Sequence, residues 1–568
     1  MSIKKMFTKP PITNLFIRVS KSGFYQGFST NVTITAKLLV GALILWAIAF
    51  PDNAASVLGQ LNSFILEVFN YWYIYAMAFF VILCFALALW PNVGKLRLGT
   101  DDDVPEFSRF SWFSMMFGAG IGIGMLTFAA AEPMYHFAKS PGSILGITEA
   151  GTVGNVRDAY IWSFTHWGFA AWGCYSVVGL SLGFYAYRRG LPLTIRSSLA
   201  PLFGEKLSGK IGHSIDVIAV VATVLGVAQT LGYGVEQFIS GLSKLGIGDW
   251  LFTIDADGNR STSTAGVLTA LLVIMGGSTL SALSGVGKGI KWLSNFNMAL
   301  TFFILFFFLV FGSTFFGLSN FFVGIWDYLL TVPKSMVTVW TADGTATGDA
   351  LASWQGAWTI FYWAWWIAFA PFVGLFLARI SKGRTIREFV LGGMIAPSLM
   401  CFIWFSLVGG TAIDLEVSGI ANGIITNAPL SDKLFVMLGV MLSENLAYIM
   451  SFIVVILLLT YLITSADSAV LIINTINAGG DEGPKARPHI LFWGAALALV
   501  VGGLIIAGGL SAIQTAMIIG ALPFSLVMVL MGISLIIAIY SDLERDKQGF
   551  QTVFPEDYDG EAANEKLP

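Results

Sequence analysis

Apolar residues fall into long runs that alternate with short polar stretches along most of the chain. Each run has about 20 residues or more, and a helix of that length crosses the apolar layer of a bilayer at a rise of about 1.5 Å per residue. The pattern predicts an all-α polytopic membrane protein. Its twelve predicted transmembrane helices cover residues 33–52, 71–90, 110–131, 159–186, 214–243, 263–283, 290–313, 354–380, 388–412, 447–475, 488–510 and 512–540.

Two segments outside these runs have patterns of their own. Residues 315–333 place apolar side chains at helical spacing around Asp327, which predicts an amphipathic helix along the outer face. A loop with an apolar bias fits that stretch equally well. Residues 541–568 are rich in Asp and Glu, so we predict a short, mostly disordered acidic tail there.

Composition excludes a soluble protein. Hydrophobic residues make up 56% and charged residues 11% of the chain, against about 25% charged in soluble proteins. The polar N-terminal segment has no apolar core before a cleavage site, so we expect no cleavable signal peptide. The three cysteines lie in apolar runs and the four histidines are scattered, which argues against a disulfide scaffold and a Cys/His metal site. We expect no nucleic-acid partner.

Lysine and arginine indicate the orientation in the membrane. They cluster before the first run, in the loops after runs 2, 4, 6 and 8, and before run 11, whereas the other loops hold few. Because positive loops stay inside, we predict that these loops and both termini are cytoplasmic.

The tryptophan-dense stretch Trp354–Ser381 points to the chemistry of the protein. Trp363, Trp365 and Trp366 lie well inside the predicted span, whereas membrane anchors keep tryptophan at the interfaces. Aromatic faces at that depth favour a quaternary ammonium or sulfonium group, which is recognised through the negative face of a ring. The alternative is that the rings fill gaps between helices.

Run 4 adds a second aromatic set. At about 100° per residue, Trp167, Trp172 and Tyr175 fall on one side of a continuous helix. Together with the rings of run 8, these three favour an aromatic cage over simple packing.

Two runs carry residues that disfavour a continuous helix. Gly118, Gly120, Gly122 and Gly124 alternate in run 3, and Pro371 lies inside run 8. We predict local unwinding at both places, although glycines also mark close helix packing. If runs 3–7 and 8–12 form two inverted five-helix units, the breaks occupy equivalent positions, which is typical of the substrate site of a secondary transporter.

Run 10 offers hydroxyl groups within an apolar helix. Thr464 and Ser465, with carbonyl groups freed by unwinding of residues 118–121, could complete an oxygen shell for a small hard cation. Such hydroxyls also bond back to the preceding turn. Asp467 could brace neighbouring backbone without touching a ligand.

The motifs resemble those of the betaine/choline/carnitine transporter family over nearly the whole chain. They are GAGIGIG from Gly118 followed by AEP at 131–133, HWGFAAWGCY from His166, ATVLGVAQTLGYG from Ala222, FYWAWWIAFAPFVGLFLARISKGRTIREF from Phe361, and TSADSA from Thr464.

The resemblance implies a LeuT-like fold of five-plus-five inverted repeats, with two extra N-terminal helices, and a homotrimer in the lipid of a bacterial inner membrane. It divides the chain into a cytoplasmic N-terminal segment (1–32), two extra transmembrane helices (33–109), a first repeat (110–313), an external amphipathic helix and loop (314–353), a second repeat (354–540) and an acidic cytoplasmic tail (541–568).

The same resemblance implies a substrate site. Its aromatic box would be Trp167, Trp172, Tyr175 and Trp366, with Trp363 and Trp365 as further lining. Phe369 stands where betaine carriers have a Trp, which implies a roomier or differently shaped pocket. Backbone at Ala119, Gly120 and Gly122 would meet the substrate carboxylate.

Two sodium sites are implied as well. One would use Gly118, Ile121, Tyr461, Thr464 and Ser465, and the other would lie near Thr223, Thr230 and Phe372. Val227 replaces a threonine of sodium-coupled relatives and weakens the second site. Run 5 has no arginine and Val373 replaces the methionine of sodium-independent exchangers, which favours sodium symport. Gly124 replaces an aspartate of choline carriers, so a zwitterion is favoured.

We therefore expect a secondary transporter that imports a zwitterionic onium compound, such as glycine betaine, dimethylsulfoniopropionate or carnitine, by sodium symport and alternating access. No cofactor is expected besides sodium as the coupling ion. A sodium-independent substrate/product exchanger is the alternative. An intramembrane enzyme would need a nucleophile with a base or a metal cluster, and a channel would need a continuous polar pore, so both are disfavoured.

Overall fold

The computed structural model describes residues 10–120, 122–254, 260–284 and 291–554, and the described chain is mainly helical. Helices of eight residues or more are α1 (Thr30–Ala49), α2 (Pro51–Val68), α3 (Asn70–Leu89), α4 (Arg109–Gly120), α5 (Gly122–Ala138), α6 (Val156–Trp167), α7 (Phe169–Gly183), α8 (Lys210–Lys244), α9 (Thr264–Ser284), α10 (Lys291–Phe311), α11 (Thr314–Ser335), α12 (Ala346–Gln355), α13 (Phe361–Arg379), α14 (Ile386–Trp404), α15 (Gly410–Val417), α16 (Lys433–Met441), α17 (Glu444–Asn477) and α18 (Arg487–Asp546).

Shorter elements connect these helices. Four-residue helices occupy Pro141–Ile144, Ala200–Phe203 and Ile424–Asn427, and 3₁₀ turns occupy Val153–Asn155, Ile195–Leu199, Gly204–Ser208 and Asp249–Leu251. Wider π turns occupy Phe184–Arg188, Gly356–Ile360 and Phe405–Gly409. The antiparallel strands β1 (Phe252–Ile254) and β2 (Arg260–Thr262) pair with Phe252 opposite Thr262.

The predicted all-α membrane class is confirmed. By length and composition, 11 helical stretches of the described residues could cross a membrane. One of them is α18, which joins runs 11 and 12 across a kink where Gly508 and Gly509 leave helical geometry, and another is α11. The count of twelve remains a prediction.

Helix α11 decides between the two interpretations of residues 315–333. The stretch is helical, so the loop interpretation is wrong. Asp327 is buried and accepts a hydrogen bond from Nε of Arg157 at 2.7 Å, which fastens α11 to α6.

Helix α2 was not predicted, because residues 51–68 are too polar to form an apolar run. Pro51 occupies its first turn, where the missing N–H costs nothing. Ala54, Leu58 and Ile65 are buried along one side, at the spacing of an amphipathic helix.

Helix α13 packs closely between α7 and α8. A β-carbon on Gly374 would lie 3.1 Å from the backbone nitrogen of Gly179, and one on Gly226 would lie 2.8 Å from the carbonyl carbon of Ala368. Glycine at these positions therefore lets the backbones approach, as in other membrane helix pairs.

Run 4 breaks where a continuous helix was predicted. At Gly168 the backbone turns to φ −89° and ψ −133°, which separates α6 from α7. The first N–H of α7, on Phe169, donates to the hydroxyl of Tyr328 at 2.9 Å. The prediction that Trp167, Trp172 and Tyr175 share one side of a single helix is therefore wrong, because α11 supplies the hydrogen bond that the break requires.

The predicted breaks in runs 3 and 8 have different outcomes. Helix α13 continues through Pro371, so the predicted interruption is wrong there. Proline removes one N–H, and burial of the surrounding turn between α7 and α8 offsets that loss. In run 3, Gly118–Gly120 end α4 in helical conformation, so unwinding is not found at these residues, and Ile121 lies outside the described residues.

The start of the acidic tail is ordered, which corrects the prediction of disorder from residue 541. Helix α18 continues to Asp546, and Asp542 pairs with Arg188 and Arg189. Phe554 is buried and its N–H donates to the carbonyl of Arg188 at 2.9 Å. Residues 555–568 lie outside the described residues.

Replacing Gly168 with alanine tests the helix break. The new β-carbon would lie 2.6 Å from the carbonyl oxygen of Phe164, 2.7 Å from the Tyr328 hydroxyl and 2.9 Å from the Phe402 ring. We expect destabilisation of about 1–3 kcal/mol, measured as a lower thermal unfolding midpoint in detergent. Gly41→Ala on α1, where nothing lies within 4 Å, is the control and should be neutral or stabilising. Equal midpoints for the two variants would contradict the break geometry.

Candidate functional site

Four predicted aromatic rings form a contiguous, buried chain between α6, α7 and α13. Ring centroids are 4.9 Å apart for Trp167 and Trp366, 6.1 Å for Trp366 and Tyr175, and 5.5 Å for Tyr175 and Trp172. Each pair meets edge to face, at interplanar angles of 73° to 84°. The structure therefore brings together all four residues of the predicted box, which we call the aromatic cage.

The helix break builds part of this arrangement. The carbonyl of His166, two residues before Gly168, accepts a hydrogen bond from Nε1 of Trp366 at 2.9 Å. This bond ties α6 to α13 and sets the Trp366 ring against Trp167.

The remaining predicted aromatics have different positions. Trp365 stacks on Trp366 at 5.0 Å and 13°, and its Nε1 donates to Oγ1 of Thr230 at 3.1 Å. Phe369 lies 6.5 Å from Tyr175, at the edge of the cage. Trp363 lies 5.9 Å from the His166 ring and, among the described residues, contacts no ring of the cage.

Sequence reasoning missed two rings of the same cluster. Tyr362 lies 5.5 Å from Trp366 and 5.6 Å from Trp167, and Phe128 lies 6.0 Å from Trp167. Tyr362 was within the motif around Trp363, but its role depends on which side of α13 faces α6, and the sequence alone does not give that.

Gly124 of run 3 borders the cage, whereas Gly122 faces Tyr461. A β-carbon on Gly124 would lie 2.9 Å from the Trp167 ring and 3.5 Å from the Trp365 ring, and one on Gly122 would lie 2.9 Å from the Tyr461 ring. Helix α5 begins at Gly122. Ala119 and Gly120 belong to the end of α4, so contact between a ligand and residues 119–122 remains a prediction.

A polar network lies against the cage and was also missed. Glu132 of α5 is fully buried, and its carboxylate contacts His136, His166, Trp167 and Tyr362. The prediction that the histidines are scattered is wrong for His136 and His166. With Glu132 they offer ligand atoms within 4.8 Å of one another, a set that could hold a metal ion. The AEP motif contained the signal, because a carboxylate in an apolar run needs partners.

The first predicted sodium site has a polar environment. Oγ1 of Thr464 accepts from Nδ2 of Asn297 at 3.0 Å and donates to the carbonyl of Thr460 at 3.0 Å, which is the expected back-bonding. The Tyr461 hydroxyl lies 2.6 Å from that of Thr301. Ser465 is half-buried, and Gly118 lies in the last turn of α4. Asp467 accepts from the hydroxyl of Ser281 at 2.6 Å, so it braces a side chain of α9.

The second predicted sodium site lies along α8. Thr223 and Thr230 both donate to carbonyl groups one turn earlier, at 2.7 and 3.2 Å. The ring centroids of Phe372 and Phe369 lie 5.0 Å apart. Val227, which stands between the two threonines in the sequence, is buried. Assignment of either oxygen set to sodium remains a prediction.

Comparison with known proteins gives a consistent family. A model described as "BCCT, betaine/carnitine/choline family transporter" matches residues 31–544. A glycine betaine transporter of Bacillus subtilis is 38% identical over 510 residues, which cover 90% of this chain and 93% of the relative. A probable glycine betaine transporter of Desulfitobacterium hafniense is 36% identical, covering 88% and 95%. A glycine betaine/proline/choline transporter of Vibrio parahaemolyticus is 35% identical, covering 87% and 88%.

Gly124→Ala tests how closely α5 approaches the cage. We expect the added methyl group to displace the Trp167 ring, because the neighbouring atom belongs to a rigid indole, and to cost about 1–3 kcal/mol. Near-ultraviolet circular dichroism would report the changed aromatic packing. The matched control is Gly276→Ala on α9, where nothing lies within 4 Å. An unchanged spectrum for Gly124→Ala would show that the ring is not held against this glycine.

Proposed function

The chain belongs to the betaine/carnitine/choline transporter family, and we propose that it imports a small zwitterionic onium compound by sodium symport. It is a multi-pass membrane transporter and not an enzyme. Glycine betaine, dimethylsulfoniopropionate and carnitine are the proposed class of substrate. The observation that carries the proposal is the buried chain of rings formed by Trp167, Trp366, Tyr175 and Trp172.

The cage suits a cation that has no N–H group to donate. Each ring presents a negative face, and a cation–π contact is worth about 0.5–1 kcal/mol when exposed and about 2 when desolvated. All four rings are almost fully buried, so the larger value is the relevant one. Three or four such contacts would support binding in roughly the micromolar to millimolar range after the costs of association.

Backbone at Ala119, Gly120 and Gly122 is the proposed contact for the other end of a zwitterion. Support comes from Gly124 on the same run, where a β-carbon would lie 2.9 Å from the Trp167 ring and 3.5 Å from the Trp365 ring. Because this part of run 3 passes beside the rings, the substrate carboxylate would lie near these residues, with the onium head among the rings.

Sodium coupling is proposed from the two oxygen sets. Gly118, Ile121, Tyr461, Thr464 and Ser465 would form one site, and Thr223, Thr230 and Phe372 would contribute to the other. Each sodium ion that enters down 100 mV releases about 2.3 kcal/mol, so two ions moving with a neutral substrate could support roughly thousandfold accumulation. Helix α8 contains no arginine that could replace an ion, which disfavours the sodium-independent exchanger.

Irregular turns support the proposed inverted repeat. In the first unit, run 4 breaks at Gly168. In the second, π turns precede α13 and follow α14, so the second run of both units contains an irregular turn. We propose two LeuT-like units, 110–313 and 354–540, that rock around the cage, after two extra helices within 33–109. Segment 314–353 would be external, and the termini, 1–32 and 541–568, cytoplasmic.

The proposed assembly is a homotrimer in a bacterial inner membrane. Helix α11 supports an interaction with lipid or with a neighbouring subunit, because Phe315, Phe322 and Trp326 are exposed along it.

Uptake into proteoliposomes tests both substrate and coupling. We expect labelled glycine betaine to accumulate only with an inward sodium gradient, and Trp366→Leu to weaken half-saturation by about 2- to 30-fold, the equivalent of one cation–π contact. Trp90→Leu, which changes a half-exposed tryptophan outside the cage, is the matched control. Uptake that requires internal substrate and ignores sodium would identify an exchanger.

Thr464→Val tests the first sodium site separately. Valine keeps the shape of threonine and removes the hydroxyl group, so we expect the sodium concentration for half-maximal uptake to rise about tenfold or more, as for loss of one strong ligand. Thr515→Val on α18, where the hydroxyl bonds only to the carbonyl of Ala512 among the described residues, is the control. Unchanged sodium dependence would remove Thr464 from the site.

A further inference from the structure

Glu132 is a carboxylate inside an apolar helix, fully buried and in contact with the cage. A charged group at such a place is costly unless several hydrogen bonds replace its hydration. The identity and direction of those hydrogen bonds therefore indicate what the group does.

The carboxylate has four partners, about as many as its lone pairs can accept. Oε2 accepts from the indole N–H of Trp167 and from the hydroxyl of Tyr362 at 2.7 Å. Oε1 lies 2.8 Å from Nδ1 of His166 and 3.3 Å from Nε2 of His136.

One assignment of protons gives Glu132, His166 and Thr359 consistent roles. Indole nitrogen can only donate, so Oε2 is an acceptor. If Nδ1 of His166 donates to Oε1, its Nε2 can accept from the hydroxyl of Thr359, which lies 3.1 Å away. With this assignment His166 is neutral and an ionised Glu132 accepts at both carboxylate oxygens.

The network reaches the cage through three connections. The indole N–H of Trp167 donates to the carboxylate, which fixes the orientation of the ring. Tyr362 stacks nearly parallel to Trp366, at 24°. The backbone carbonyl of His166 accepts from Nε1 of Trp366. Hydrogen bonding to an anion polarises the donor groups, and the effect is larger in a site without water.

We propose that Glu132 is a positioning and specificity-determining residue of the cage: it fixes Trp167 and Tyr362 and supplies a negative charge that selects a cationic head. This inference rests on the proposed function, because it assumes that the cage binds an onium group. It adds that selection of charge comes from a carboxylate beside the rings as well as from the rings.

Binding of two ligands of equal shape separates charge from fit. Glycine betaine carries a quaternary nitrogen, and 3,3-dimethylbutanoate has a carbon atom in its place. Calorimetry on the purified full-length protein in sodium buffer would measure the dissociation constant of each, and their ratio is the charge selectivity.

Two substitutions of Glu132 are expected to differ in their effect on this ratio. Glu132→Gln keeps the length and loses the charge, so we expect betaine affinity to fall about tenfold or more while affinity for dimethylbutanoate changes less than threefold. Glu132→Asp keeps the charge and loses reach, so both affinities should fall by the same factor and the ratio should persist. A ratio in Glu132→Gln equal to that of the wild type would overturn the inference.

Controls distinguish this inference from folding defects and from the proposed function. Glu388→Gln removes a carboxylate that pairs with Arg109 and Arg384 outside the cage and should leave the ratio unchanged. If Glu132→Gln does not fold, Tyr362→Phe decides: it removes one hydrogen bond but keeps ring and charge, so both affinities should fall equally. If Tyr362→Phe leaves betaine affinity unchanged, or lowers the ratio of the two affinities, the role proposed for Glu132 is wrong. A wild type that does not bind betaine would overturn the proposed function itself.

Discussion

Backbone groups that a helix break leaves unpaired among buried helices need partners inside the protein, and the geometry around the cage depends on this requirement at Gly168. An unpaired buried N–H costs about 1–3 kcal/mol. The break at Gly168 persists because Tyr328 accepts from Phe169 and because the carbonyl of His166 accepts from Trp366. The same bonds that satisfy the irregular backbone therefore fix the position of an aromatic ring. The backbone break and the positions of the rings thus depend on the same hydrogen bonds.

Close helix packing makes that arrangement compact. Within a membrane, helices associate largely through van der Waals contact, so small residues at the interfaces matter. Gly374 and Gly226 bring α13 against α7 and α8. As a result, adjacent tryptophans on α13 reach different neighbours: Trp366 contacts Trp167 and Tyr175, while Trp365 bonds to Thr230. A ligand held by the cage would thus touch helices of both proposed repeats.

Residues that disfavour helices in isolation were poor guides to where the helices break. Pro371 lies within a continuous helix, and Gly118–Gly120 are helical, whereas a single glycine at 168 ends α6. Each local preference is worth about 0.5–3 kcal/mol. Hydrogen bonds and packing from neighbouring helices are of the same size, so they decide the outcome. Thr464 illustrates the converse, since its hydroxyl makes the back-bond that any helical threonine favours.

The sequence by itself determined the all-α membrane class, the positions of most helices, the family and the aromatic character of the site. These depend on side-chain type and periodicity, which are properties of local stretches. Only the tertiary structure decided that the break in run 4 is at Gly168, that α11 is a helix fastened to α6, and that Tyr362 and Glu132 adjoin the predicted box. It also places the rings of His136 and His166, which belong to different helices, against the same carboxylate. Such features depend on which faces of different helices meet, because hydrogen bonds and ring contacts act over only a few ångströms.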